Sequence, residues 1–501
     1  MIPPPFSLRL FRGRPVHPPA RPAEGTRSSL PVKVPASGLL ALAAGLLALA
    51  DGGGCQHTPM PRSPVVAYPV SPGGVFQMAL GQAVPVDQIG PALAGAGLVF
   101  VGEHHLDPRS HALENTILET LLTKTGNRNQ EVIVGLEMFP PQADPVLEAW
   151  RLGKLTPEEF VEQSGWYDHW GYPWILYSGL FETIRRHRVK TRGLNVTRGD
   201  RDLAAGRTPP LKEEKGEQWL SFSLEREIGP LDLEITPHRW FFADALGQTG
   251  HGGGGRGSPP PKGAESGGQK ERFPPPLEGY YRVQVLWDQA MGVRAARLAV
   301  NPRSQPKPQP RPDPVVVVFI GSGHLMYGVG ANLRAQRELA RLAGASGGGK
   351  KGDRIPPRVT TLLDIPQDEL ERDGLGRSLV PVGLGDLVRP LPPQPPPRIP
   401  TLAAFKLKAD PKGVRVESAG MTAPPMKPAH EKSKREAAAH PTDLPVQQLL
   451  AEDVVTALNG MAVTTPAALR LAWERLNPDS RPALIVLRQD KPVTLRLKAI
   501  P

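Results

Sequence analysis

Four apolar runs in this chain each end in residues equipped for chemistry, and this recurrence limits what the chain can fold into. Leu98-Val-Phe-Val101 leads into Gly102-Glu103-His104-His105, and Val132-Ile-Val134 leads into Gly135-Leu136-Glu137. Val189-Lys-Thr-Arg192 leads into Gly193-Leu194-Asn195, and Val315-Val-Val-Val-Phe-Ile320 leads into Gly321-Ser-Gly-His324. Short runs of this kind, bounded by glycine, read as strands buried on both faces. In an open α/β sheet the ligand crevice lies outside the carboxyl ends of the strands. One crevice would then collect two carboxyls, several imidazoles and an amide.

The intervening segments read as helices. Asp107-Pro108 offers an N-cap followed by proline at the first helical position, and Leu113, Ile117, Leu118, Leu121 and Leu122 recur at helical spacing. His111 falls near the start of that helix. Thr156-Pro157-Glu158-Glu159 pairs a capping threonine with a carboxylate three residues on. An aromatic passage from Trp166 to Trp174 precedes a helix carrying Tyr177, Leu180, Phe181 and Ile184. Alternation of strand and helix predicts an α/β domain, a mostly parallel sheet with helices on both faces, over residues 86–389. With 60 prolines and 53 glycines in 501 residues, part of the length is read as insertion. Disordered loops are expected near 247–276, 301–314 and 343–357. No strand precedes Gly252-Gly-Gly-Gly255 and no Gly-Lys-Ser/Thr follows it, which excludes a phosphate loop. After Gly321-Ser-Gly323 the third glycine comes only at Gly328, outside the dinucleotide-binding fingerprint.

The net charge of +11 is spread over the N-terminal lead, the proline-rich insertions and the tail. No basic face interleaved with aromatics is present, so nucleic acid is excluded as a partner. Cys55 is the one cysteine, which rules out an internal disulfide and a cysteine-based zinc site. It follows an apolar run, Gly38 to Ala50, that is too short to span a membrane but suits a secretory signal. Residues 1–55 resemble a bacterial lipoprotein signal, which implies lipidation at Cys55; a plain cleaved signal is the alternative. A proline-rich tether, 56–85, would follow. The expected location is the cell envelope, either anchored to the outer membrane or periplasmic.

Taken in order, Gly102-Glu103-His104-His105 with His111, Gly135-Leu136-Glu137-Met138-Phe139, Trp166 with Trp170-Gly171 and Tyr177, Gly193-Leu194-Asn195, Gln284-Val-Leu-Trp-Asp288-Gln-Ala-Met291 and Gly321-Ser-Gly-His324 resemble the motifs of ChaN-like haem-binding lipoproteins. Those proteins belong to a wider group with the erythromycin esterases and the Tiki/TraB proteins. The resemblance implies an α/β domain that binds haem, with its iron, through a tyrosine at a homodimer interface and serves iron acquisition. Tyr280, Tyr281 and Tyr327 are the candidate ligands, with His105 and His324 as further cofactor-binding candidates.

The same residues also support a hydrolytic reading. Glu103, Glu137, His111 and His324 are candidate catalytic groups, and Glu103, His105, His111, Glu137 and His324 are candidate ligands for a divalent transition metal. Resemblance to the esterase and Tiki proteins implies related Glu/His chemistry.

A proline-rich linker, 390–400, precedes a second unit, 401–501. It reads as the strand Gly413–Glu417, a polar stretch near 422–444, a helix opening at Thr464-Thr-Pro466, and the hairpin Ala483–Arg488 with Pro492–Lys498. Asp453-Val-Val and the Asn459-Gly460 turn make it resemble a bacterial PDZ domain, a small β/α barrel-like fold. That resemblance implies capture of a C-terminal or extended peptide by strand addition, with Leu402 and Phe405 at the binding loop. Glu452 stands where that family has glycine, and a purely structural module is the alternative, leaving a non-catalytic scaffold as a third reading.

Overall fold

The computed structural model describes residues 32–34, 65–71, 73–126, 130–208, 211–213, 216–239, 241–242, 275–300, 313–345, 355–395, 397–400, 402, 405–419 and 449–496. Its centre is an eight-stranded sheet built from β1 (Val75–Gln77), β2 (Gln82–Val84), β3 (Ala96–Glu103), β4 (Val132–Leu136), β5 (Lys190–Gly193), β6 (Val315–Gly321), β7 (Arg358–Pro366) and β8 (Leu387–Leu391). The spatial order is β2-β1-β8-β7-β3-β6-β4-β5. The six strands from β8 to β5 pair in parallel, whereas β1 pairs antiparallel with both β8 and β2.

Strands β3 and β6 alternate their side chains between two cores. Val99, Val101, Val317 and Phe319 face one, and Leu98, Phe100, Val316 and Val318 face the other. This two-faced burial is why the sequence shows unbroken apolar runs there. Helices α1 (Pro108–Gly126), α2 (Asp144–Arg151), α3 (Pro157–Ser164), α4 (Trp166–His169) and α5 (Trp174–Arg186) follow β3 and β4, and their apolar residues enter the first core. α6 (Arg198–Ala204), α7 (Phe222–Ile228), α8 (Pro275–Leu298) and α9 (Ala331–Ala345) complete the domain; Met291 and Ala295 of α8 and Leu339 of α9 lie in the second core. β3 leads through α1 to β4, yet β6 returns later to lie between them. That makes the β3/β6/β4 junction a topological switch point.

Three readings from the sequence are corrected. Among the described residues, parallel pairing is confined to six strands of the central sheet. The sheet joining Val65–Val70, Ser378–Pro381, Glu371–Arg372 and Val32–Val34, the Leu211–Glu213/Gly216–Gln218 pair and the C-terminal sheet are antiparallel, so the chain is a mixed α/β fold. The domain starts before Val86: residues 65–70, 75–77 and 82–84 are strands. These strands are short and broken by proline and glycine, which gave them the composition of a tether. The domain also runs past 389. β8 pairs with β7 through Leu391, and Pro390 lies beyond the stretch of β8 that pairs with β1, where its missing N–H costs no ladder bond. Of the three expected insertions, 247–274, 301–312 and 346–354 lie outside the described residues, as does Cys55 with most of 1–64.

The second unit consists of β9 (Phe405–Asp410), β10 (Gly413–Ala419), β11 (Val454–Leu458), β12 (Met461–Ala462), α10 (Pro466–Glu474), β13 (Ala483–Arg488) and β14 (Lys491–Arg496). The strand order is β9-β10-β11-β13-β14, with β12 folded back on β11. Its own core includes Val414, Val416, Val455, Trp473, Leu484 and Val486. Glu452 has φ +69, a left-handed conformation that glycine adopts without strain.

Gly193 closes β5 against the backbone after β4. A Cβ there would stand 2.4 Å from the Pro140 carbonyl oxygen and 2.7 Å from that of Phe139. Gly193→Ala is expected to cost about 1–3 kcal/mol, read as a lower denaturant midpoint at unchanged slope. An unchanged midpoint would contradict this packing.

Candidate functional site

Register assembles the site. Gly321 at the end of β6 lies opposite Glu103 at the end of β3, and Phe319 lies opposite Leu136 at the end of β4. Glu137 follows Leu136 directly, and its backbone N–H donates to the Phe319 carbonyl at 3.2 Å. Glu103, Gly321 and Glu137 therefore sit side by side. The fourth strand end supports them: Asn195 Nδ2 donates to the Glu137 carbonyl at 2.8 Å.

Glu103 is 2% exposed. Its Oε1 accepts from His105 Nδ1 at 2.6 Å and from the Tyr177 hydroxyl at 2.9 Å. Its Oε2 faces His111 Nδ1 at 3.1 Å. His111 Nδ1 also meets Glu114 Oε2 at 3.0 Å, while its Nε2 donates to the His105 carbonyl at 3.1 Å. Burial alone would raise the Glu103 pKa and lower that of His111. Paired imidazoles nonetheless hold Glu103 well below the usual carboxylate range, and the two carboxyls push His111 up to about 11. Glu114 is pushed up to about 8 by burial and by the charge of Glu103 beside it.

A second group lies on the other side of Gly321. His324 Nε2 meets Glu137 Oε1 at 3.2 Å, and its Nδ1 meets Asp288 Oδ1 at 2.5 Å. Asp288, on α8, is fully buried and also pairs with His238 Nε2 at 2.9 Å, with Arg334 Nη1 at 3.9 Å. The Gly321 N–H donates to Glu137 Oε2. Burial opposes the charge on His324, but Glu137 and Asp288 push it up to about 10. Burial lowers His238. Charges thus cancel in place: Glu103 against His111, and Glu137 and Asp288 against His324 and Arg334. Buried charge requires that balance.

His105 bridges the halves. Its ring lies over Gly321, where a Cβ would be 2.9 Å from its Cε1 and 3.6 Å from Glu137 Oε2. Trp170 and Tyr172 wall it, with ring centroids at 4.8 and 4.7 Å, and 24% of its side chain is exposed. His111 and His324 have both ring nitrogens engaged, whereas His105 commits Nδ1 to Glu103 and holds Nε2 over Gly321, 3.1 Å from where a Cβ would stand. A carboxylate on one imidazole nitrogen is the arrangement that orients the other toward a metal or a substrate.

The structure brings together Glu103, His105, His111, Glu137 and His324. Glu103 and His111 form a set with Glu114 whose ligand atoms lie within 4.8 Å of one another, while Glu137 and His324 belong to the other half. The tyrosines are dispersed. Tyr280 is 58% exposed on α8; Tyr281 is buried, its hydroxyl donating to the Leu233 carbonyl at 3.3 Å, and burial raises its pKa. Tyr327 sits at φ +57, half-buried near Phe241. Leu402 is buried and Phe405 half-buried, and the carbonyls of both accept from Arg470, at 2.8 and 2.9 Å. Sequence reasoning missed Glu114, Asp288, His238 and Arg334 as members. Glu114 could have been found three residues after His111 on one helix face, and Asp288 lay within a motif already noted; His238 carried no signal. Two cavities, of about 190 and 600 Å³, lie at the opposite strand ends near Gly97 and Lys124 and at the β1/β2 edge, away from this chemistry.

Residues 91–334 match the family model described as haem-binding uptake, Tiki superfamily, ChaN. That stretch is ChaN-like. It contains every member of both halves, from Glu103 to Arg334, and the match supports a haem-related function. Curated proteins gave no match. Among solved structures the chain is similar to ChaN of Campylobacter jejuni with cofacial haem binding, at 14% identity and TM-score 0.37 over 64% of this chain and 98% of that one. It is also similar to a mutant of the erythromycin esterase EreC in its open conformation, at 11% identity and TM-score 0.28 over 58% and 78%. The type III effector HopBA1 follows at 11% identity and TM-score 0.26 over 62% and 94%.

The elevated imidazoles give a signed pH dependence. A histidine raised from its ordinary 6.5 to about 10 or 11 contributes stability in full below the unfolded value, and that stability is lost as pH climbs through the folded one. The proton held by Glu114 acts in the same direction. Melting temperature is expected to fall by roughly 5 °C or more between pH 7 and pH 10, with a shallower slope in His324→Gln. An alkaline limb identical in the variant would contradict the assignment.

Proposed function

We propose that this is an envelope-associated haem- or iron-binding protein that works in haem uptake or handling. The match of residues 91–334 to a haem-binding uptake family carries the reading, because the matched stretch holds the whole buried Glu/His network. The donor set fits a haem. His105, with 24% of its side chain exposed, offers an imidazole beside two aromatic rings, a wall suited to an apolar macrocycle. Tyr280 offers an exposed phenol, a hard oxygen donor suited to ferric iron. Tyr281 and Tyr327 would have to leave their present surroundings to serve. Bound haem would supply an iron centre, which the protein tunes through ligand identity and burial. Around it, Glu103 would orient His105, while His111 and His324 hold the buried carboxylates ionised. Haem would lie against the face that His105, Trp170 and Tyr172 form, where a second copy of the chain would cover it. Lipid anchoring through Cys55 would keep the protein at the membrane. Among the described residues no helix is long and apolar enough to cross one. The C-terminal unit would recruit an extended peptide along β9, an edge strand among the described residues, near Leu402 and Phe405.

A second reading rests on the Glu103–His105 pair. A carboxylate-oriented imidazole beside Glu137 is equipped to take a proton from water, and Glu103, His111 and Glu114 are grouped closely enough to hold a divalent metal once His111 and Glu114 give up their protons. The chain would then be a hydrolase.

One titration separates the two. The full chain is expected to bind ferric haem stoichiometrically, with the haem absorption band lost or shifted in His105→Ala or in Tyr280→Phe and retained in Glu114→Gln. Absence of stoichiometric binding, together with ester or peptide hydrolysis that Glu103→Gln and His324→Ala abolish, would replace the haem reading with the hydrolytic one.

A further inference from the structure

The network lies in the first domain, yet the elements that wall it are fastened from the second. Ala467 and Leu471 of α10 join the same core as Phe160, Trp166 and Tyr177. The ends of α10 exchange caps with the first domain. At its start the Ala467 N–H donates to Glu162 Oε2 of α3 at 3.2 Å. At its end Glu474, 5% exposed, accepts the Tyr167 hydroxyl on one oxygen at 2.5 Å and the Ile175 backbone N–H on the other at 3.1 Å.

Ile175 is the second residue of α5, whose own N-cap residue, Pro173, contributes no side-chain bond. A helix start leaves N–H groups unsatisfied, and a carboxylate there both accepts from them and complements the helix dipole. Glu474 therefore supplies, from 299 residues away, the cap that the local sequence omits. Both elements it holds reach the site. Tyr167 belongs to α4, which closes on Trp170, a wall of His105; α5 carries Tyr177, which donates to Glu103. Arg470, one turn earlier on α10, lies over the Tyr167 ring at 4.8 Å and also holds the Leu402 and Phe405 carbonyls.

We propose that Glu474 is a positioning residue for the first domain's site: through it the C-terminal unit holds α4 and α5 in place, so that Trp170 stays against His105 and Tyr177 stays on Glu103. The two units are one working assembly, whichever ligand the site takes.

The test uses the full chain, with hydrogen–deuterium exchange and the rate at which diethyl pyrocarbonate modifies His105, both read by mass spectrometry. In Glu474→Ala, peptides spanning 166–178 are expected to exchange about five- to tenfold faster, with His105 modified faster by a similar factor and β3 and β6 peptides unchanged. Glu474→Gln keeps an acceptor for Ile175 and is expected to show a smaller change of the same pattern. It carries the test if the alanine variant loosens the whole chain. Tyr167→Phe should affect 166–170 and leave α5 alone. Faster exchange in α5 without faster modification of His105 would reduce Glu474 to a purely structural cap and overturn the proposal, as would unchanged exchange in 166–178.

Discussion

The buried carboxylate of Glu103 is the constraint around which the domain is arranged. A carboxylate taken out of water loses several kcal/mol of solvation, and a single opposite charge about 3 Å away returns about 5 kcal/mol at an effective dielectric of about 20. The two effects are of similar size, so one ion pair would not make the position secure. Glu103 is held by three groups: His105, His111 and Tyr177. Each comes from a different element, so the loop after β3, the first turn of α1 and the first turn of α5 must all converge on the end of one strand. Their packing follows from that requirement.

The second half repeats the solution with other residues. Glu137 and Asp288 flank His324, and Arg334 completes the balance of charge. Gly321 separates the halves and lets them approach, because His105 occupies the space a side chain would need. What emerges is a rigid, charge-balanced floor with one imidazole, His105, turned toward solvent between Trp170 and Tyr172. A floor of this kind suits either an iron ligand of fixed orientation or a base of fixed orientation. The match of residues 91–334 to a haem-binding uptake family model favours the former.

Much of this was legible because the residues concerned stand immediately after glycine-bounded apolar runs. Glu103, His105, Glu137 and His324 could be read as strand-end groups, and His111 as a group at a helix start. Register, which no sequence prints, then decided that they meet. The unread residues share a reason. Glu114 looks like an ordinary polar position on a helix, Asp288 lies inside a long helix, and His238 and Arg334 find their partner, Asp288, across 50 and 46 residues. Strands β1 and β2, and the last two residues of β8, were hidden by proline and glycine in segments that composition assigns to linkers. The cap on α5 was invisible because its acceptor, Glu474, sits in another folded unit.

The charge-balanced floor depends on His111 and His324 being cations held against buried carboxylates. Nitrogen-15 chemical shifts of the histidine rings, recorded on selectively labelled full chain between pH 6 and pH 9, test this most directly. Two imidazolium signatures that persist through pH 8 and vanish individually in His111→Gln and His324→Gln are the expected result. Conversion of both rings to the neutral form near pH 6.5 would contradict the charge-balanced floor and the site built on it.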